Sequence, residues 1–171
     1  MKKINDYVVS RVLQIIIATI PMFAGVFALL NNIYPFTKNV KNIAIPLITM
    51  QGVSENHWRK LPSFLGAYCY TIMFFCEFTV GILAFVGVIN MLKNLFKSNS
   101  NFEKSKLFVY FSCMLACIIY GLFFFVIGGD WFLAWMGNSY ISGIQSDSLR
   151  YTTLMFFVFA FLKLSASSDI I

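Results

Sequence analysis

Charge is scarce in this chain. Only 12% of its 171 residues are Asp, Glu, Lys or Arg, and 59% are hydrophobic. Soluble domains carry about a quarter charged residues, so this chain cannot clothe a soluble surface. Histidine occurs once, at His57. A haem with two axial His from this chain is excluded, and Ser-His-Asp or Cys-His catalysis has no second element to build on. The four cysteines, Cys69, Cys76, Cys113 and Cys117, all fall inside apolar runs and none in a connection. A secreted disulfide framework would place them in polar loops. The spacing of Cys113 and Cys117 is not the C-x2-C of a zinc site, and they read as small, polarizable packing residues. No phosphate-cradling G-x-x-x-x-G-K run and no paired-glycine nucleotide fingerprint is present. No enzymatic activity, metal or cofactor is expected.

What is abundant is apolar, with phenylalanine leading at 20 copies. The stretch 64–92, FLGAYCYTIMFFCEFTVGILAFVGVINML, is long enough to cross a bilayer. A hydrocarbon core about 30 Å thick needs roughly 20 apolar residues in a helix. Similar runs fall at 12–30, 107–127 and, shorter, 149–164. The reading is all-α: a polytopic membrane protein, one membrane domain over 1–171, built as a four-transmembrane-helix bundle. The first connection is long and holds an apolar segment at 43–50, broken by Pro46 and too short to span. The second, KNLFKSNSNFEKSK, reads as a polar turn. After helix three, a short interfacial helix over 130–137 carries Trp131 and Trp135 four residues apart, with Asp130 placed to cap it. Gly128 and Gly129 end helix three in this reading, and 139–150 is a polar connection.

The net charge is +6. Lys and Arg lie between or before the apolar runs, where topology signals lie, and no free basic patch suggests nucleic acid. With the N-terminus inside, eight Lys and Arg fall on the inner side and five on the outer. That bias predicts both termini in the cytoplasm.

One carboxylate, Glu77, sits in the middle of helix two. An ionised group at that depth costs several kcal/mol, so it faces the bundle interior and finds partners. Helical spacing puts it on one face with Tyr70, Met73, Gly81, Ala84 and Val88, which leaves the Phe-rich sides to lipid. Tyr120 in helix three lies at comparable depth. Tyr120, Thr19 or an ion pair with Arg150 are the candidate partners. Two roles are open to Glu77: a proton or cation site, and a helix-to-helix hydrogen bond. A small-residue strip of Ala18, Gly25 and Ala28 suits helix one for close packing, and Cys113, Cys117 and Gly121 do the same for helix three. Trp58 and Arg59, with Asp130, Trp131 and Trp135, suit the headgroup region or a partner contact.

Several of these residues carry a resemblance. They are Asn31–Asn32 after helix one, Trp58–Arg59, Glu77, Phe102 with Lys106, and Arg150. The most specific piece is Gly128-Gly129-Asp130-Trp131-Phe132 followed by Trp135. On these the chain resembles a bacterial family of predicted small integral membrane proteins of unknown function. The resemblance implies four transmembrane helices and a bacterial inner membrane, and no activity. Family members tend to carry a His and a Met-Asp-Thr-Thr run in the first connection; here 46–52 reads PLITMQG and keeps only Met50. Three functions follow: an accessory or assembly subunit binding another membrane protein, a small proton- or cation-coupled transporter using Glu77, and a lipid- or quinone-binding protein. The first is preferred on sequence alone, because the polar machinery for the others is thin. Its partners are the bilayer and another membrane protein or a second copy of the chain.

Overall fold

The computed structural model describes residues 2–53, 57–137 and 139–165, with side chains from Asp6 onward. Ser54, Glu55 and Asn56 of the first connection, and the side chains of Lys2 and Lys3, which count toward the inner-side charge, lie outside the described set. All regular structure among the described residues is helical. Helix α1 spans Lys2–Ile33 and α2 spans Phe36–Asn39; a π-helical turn, Val40–Ala44, joins α2 to α3 at Ile45–Ile48. Then come α4 (Leu65–Lys93), α5 (Asn99–Ser105) and α6 (Leu107–Ala116). The last runs on as a π-helical segment, Cys117–Trp131. A 3-10 turn, Ala134–Met136, precedes α7, Ser139–Leu164.

Among the described residues, three helical stretches are long and apolar enough to cross a membrane: Asp6–Ile33, Leu65–Lys93 and Asn99–Trp131. The fourth expected helix, 149–164, is present but longer, because α7 begins at Ser139. Its polar first half was expected as a connection. Within it Ser148 Oγ donates to the Gln145 carbonyl at 2.6 Å, and Thr152 Oγ1 to that of Ser148 at 2.8 Å. Most helical stability in proteins comes from packing one face rather than from propensity. Ile141 and Ser148, each 3% exposed, anchor that half in the core.

Three other boundaries are corrected. The second connection is not all turn: Ser98 caps α5 by accepting from the Asn101 amide at 3.4 Å. The 43–50 segment is helical from Phe36 to Ile48, with Pro46 tolerated in the first turn of α3. Gly128 and Gly129 do not end helix three, which continues through Trp131.

The bundle is set by how closely two helices approach. At Gly25 in α1, a Cβ would lie 2.3 Å from the Gly81 Cα of α4, so the two backbones touch. Gly87 of α4 meets Val109 of α6 in the same way, with a Cβ 2.5 Å from Val109 Cγ2. In lipid, where no hydrophobic force pulls helices together, small residues at crossings let dispersion do so. Ala18, Ala84 and Cys113 are fully buried near these crossings, while Phe75, Phe85, Phe111 and Phe157 are exposed to the lipid.

One end of the bundle is tied by two buried cations that the sequence suggested were surface topology signals. Arg11 is 2% exposed. Its Nη1 donates to the carbonyls of Leu95 and Lys97, both at 2.7 Å, just past the C-terminus of α4. Carbonyls left over at a helix end favour a cation. Lys106 is fully buried; its Nζ bonds both Glu103 oxygens, at 2.7 and 2.8 Å, and the Leu162 carbonyl at 3.2 Å. The Phe102 ring lies between them, 4.4 Å from the Arg11 guanidinium and 5.4 Å from the Lys106 ammonium. Gln14 Nε2 adds a bond to the Ser165 carbonyl at 3.3 Å. The start of α1, the end of α4, the start of α6 and the end of α7 therefore meet at one end.

Three outcomes test this packing. Gly25→Leu forces the backbones apart and lowers the unfolding temperature in detergent, at a cost of about 3 kcal/mol or more, beyond ordinary overpacking. Gly143→Ala, with open space around its Cβ, raises stability by about 0.5–1 kcal/mol. Arg11→Ala orphans the carbonyls after α4 and costs about 1.5–3 kcal/mol on the same assay; equal melting of the variant and the parent would show that these bonds contribute nothing.

Candidate cation site within the bundle

Glu77 lies one turn before Gly81 on α4, so the closest crossing of α1 and α4 stands directly beside it. It is 6% exposed. The spacing that placed it on a buried face holds: Tyr70, Gly81, Ala84 and Val88 are all buried, and Met73 is partly so.

Its carboxyl group has two neutral partners. Asn32 Nδ2, from the last turn of α1, donates to Glu77 Oε2 at 2.8 Å. The Tyr120 hydroxyl, from the π-helical segment, bonds the same carboxyl group. Behind Asn32 the chain of donors continues. The Tyr70 hydroxyl donates to Asn32 Oδ1. Asn39 Nδ2, from α2, reaches the Tyr70 oxygen at 2.7 Å and Asn32 Oδ1 at 3.3 Å. The polarity runs one way, from Asn39 through Tyr70 and Asn32 to Glu77. Each donor points toward the carboxyl group, which aids a negative charge without cancelling it.

The carboxyl group borders a cavity of about 280 Å³ between α1, α4, the π-helical segment and α7. Its aromatic wall is Phe27, Tyr70, Tyr120, Phe124 and Tyr151. Tyr120 is stacked against Tyr151, with ring centroids 5.1 Å apart, and against Phe124 at 6.3 Å. No Lys, Arg or His is among its lining residues. Asp147 is the second acid on the lining, at the rim; its side chain is 59% exposed and paired with Arg150 at 3.1 Å.

Glu77 and Tyr120 thus come together as the sequence places them, and Arg150 does not join them. Its side chain is 78% exposed and bonds Asp147, one turn away on α7. The ion pair with Glu77 is corrected on that ground: the short reach to a carboxylate on its own helix wins over a desolvated partner. Thr19 also turns away, bonding the Ile16 carbonyl at 2.7 Å. Sequence reasoning missed Asn32 and Asn39. Asn32 had a usable signal, since Gly25, Ala28 and Asn32 share one helix face. Asn39 had none, because its place depends on the turn between α1 and α2.

The Trp-rich residues form a second, separate cluster. Arg59 Nη1 donates to the carbonyls of Asp130 and Trp131 at 2.9 and 3.2 Å, at the C-terminal end of the π-helical segment. The Trp58 and Trp131 rings meet edge to face with centroids 5.5 Å apart, and the Arg59 guanidinium lies 5.3 and 5.6 Å from them. Asp130 does not cap a new helix, because it sits inside the last turn of the previous one. Trp131 and Trp135 do not share a short helix either; Leu133, in a left-handed conformation with φ 53°, turns the chain between them. Trp135 is exposed. Among the described residues, no three His, Cys, Asp or Glu side chains converge as a metal site would need.

Residues 10–165 match a family model described as "Predicted small integral membrane protein (DUF2165)". No curated protein and no solved structure matches the chain. The family match covers nearly all of the bundle, Glu77 and both clusters included, and the chain accordingly belongs to this family of predicted small integral membrane proteins.

Proposed function

We propose that this chain is a small transporter in which Glu77 holds a proton or an exchangeable cation, not an enzyme. The observation that carries the reading is a charge imbalance. A buried carboxylate costs several kcal/mol unless it is paired. Glu77 faces a cavity whose lining holds no basic side chain, and its partners are amide and hydroxyl groups. Its carboxyl group is therefore either protonated or balanced by a cation that enters the cavity. Exchange between these two states is the elementary step of a proton-coupled carrier.

A second reading, an accessory subunit for another membrane protein, draws on the Trp58–Arg59–Trp131 cluster. Trp58 is 76% exposed there although Arg59 holds its segment in place. A rigid, exposed aromatic is a common anchor at interfaces.

For the topology we propose four crossings in a bacterial inner membrane, with both termini in the cytoplasm. Helix α7 would be the fourth. In support, its C-terminal end meets Gln14 of α1 and Lys106 at the start of α6, and its N-terminal half lines the Glu77 cavity farther along the bundle. The excess of Lys and Arg on the side of the N-terminus agrees.

Two measurements check these readings. In proteoliposomes, an imposed gradient of a monovalent cation should change the lumenal pH, and Glu77→Gln should abolish that change while keeping the protein monodisperse. The same pH trace from both proteins under every cation tried would sink the carrier reading. Reporter fusions to the two termini should both report the cytoplasm; opposite sides would mean three crossings.

A further inference from the structure

We propose that the Glu77 cavity takes an organic monocation, an ammonium head bearing apolar groups, in preference to a bare metal ion. This rests on the reading of Glu77 as an exchangeable cation site and names what would occupy it.

The first argument is the supply of oxygen. A hard inorganic cation such as Ca²⁺ asks for six to eight oxygen ligands. Around Glu77 the polar groups are mostly donors or already used. Asn32 turns its amide N–H toward the carboxyl group and spends its carbonyl oxygen on Tyr70 and Asn39. A carboxylate has about four acceptor positions; Asn32 and Tyr120 occupy two. That leaves room for a diffuse positive charge to lie against Glu77, and too few ligands to strip a metal ion of its water.

The second argument is the wall. Five aromatic rings line the cavity, and Tyr120 is stacked against Phe124 and against Tyr151. Aromatic faces attract cations, and most strongly when water is excluded. For an ammonium with alkyl substituents the same rings also provide apolar contact. The third argument is size. About 280 Å³ is close to the lower end, roughly 300 Å³, of pockets that hold small molecules, and a lone ion would leave most of it empty. Asp147 at the rim is neutralised by Arg150, which leaves Glu77 as the uncompensated acid of the lining. An anion or a neutral solute gains nothing from this arrangement.

The test uses the full-length chain in nanodiscs with tetraethylammonium as the probe, followed by calorimetry, with empty nanodiscs correcting for lipid partition. Binding is expected, and sodium at tenfold excess should not displace it. Glu77→Gln should weaken it by about tenfold or more. Tyr151→Leu, which keeps bulk but removes the π-face, should weaken it roughly threefold or more, whereas Tyr151→Phe should leave it unchanged. Phe27→Leu, on another helix, provides the same test if Tyr151→Leu is not monodisperse. Displacement by sodium, or full affinity in both leucine variants, would overturn the inference. If tetraethylammonium fails to bind while sodium or potassium still drives Glu77-dependent pH change, the organic-cation inference falls and the exchange reading stands. If no cation of either kind binds or drives exchange, both fall.

Discussion

Hydrocarbon offers no hydrogen bonds. Every polar group that enters this bundle must therefore find its partner inside the protein. That constraint accounts for most of the specific contacts in the structure. Arg11 and Lys106 reach helix-end carbonyls; Ser148 and Thr152 return their hydroxyls to their own helix; Ser112 Oγ crosses to the Val80 carbonyl at 2.7 Å. In each case a group that would be free in water is tied to backbone. Glu77 is the exception in kind. Its partners are side chains, they are neutral, and they leave its charge uncompensated.

Contact between the glycines at the crossing of α1 and α4 makes the Glu77 arrangement possible. With Gly25 against Gly81, the next turns of the two helices are close enough for an asparagine to reach a glutamate. The cavity opens farther along, where Phe27, Met73 and the π-helical segment line it. Close approach at one level and separation at the next is a common way for bundles to build a ligand site between helices. The π-helical segment contributes Tyr120 and Phe124 to the same wall. Local π-helical geometry frequently accompanies functional sites.

The two ends of the bundle are built differently. At one end, buried cations and Phe102 bind helix termini to one another, while Phe96 and Leu164 beside them stay exposed. At the other, Arg59 fastens the long first connection to the end of the π-helical segment, and Trp58 remains outside. The first is an internal tie. The second combines a rigid anchor with an exposed aromatic face, the kind of surface a partner protein uses, and the Glu77 cavity lies between the two ends.

The sequence by itself determined the class of the protein. An apolar run in lipid has only one way to satisfy its backbone, so membrane helices at 64–92 and 107–127 followed from length and composition, as did the inward face of Glu77. Comparable depth in helix three made Tyr120 a candidate partner for it, and the spacing of small residues put Gly25 and Ala18 at a packing surface. The tertiary structure decided what periodicity does not encode. Arg150 chose Asp147 on its own helix. The 139–150 segment is helical, with Ile141 and Ser148 buried. Lys106 became a buried cap, and Asn39 joined the site through a turn. The burial of Lys106 and the reach of Asn39 depend on the distance between groups far apart in the chain, and a spacing rule along one helix carries no information about that distance.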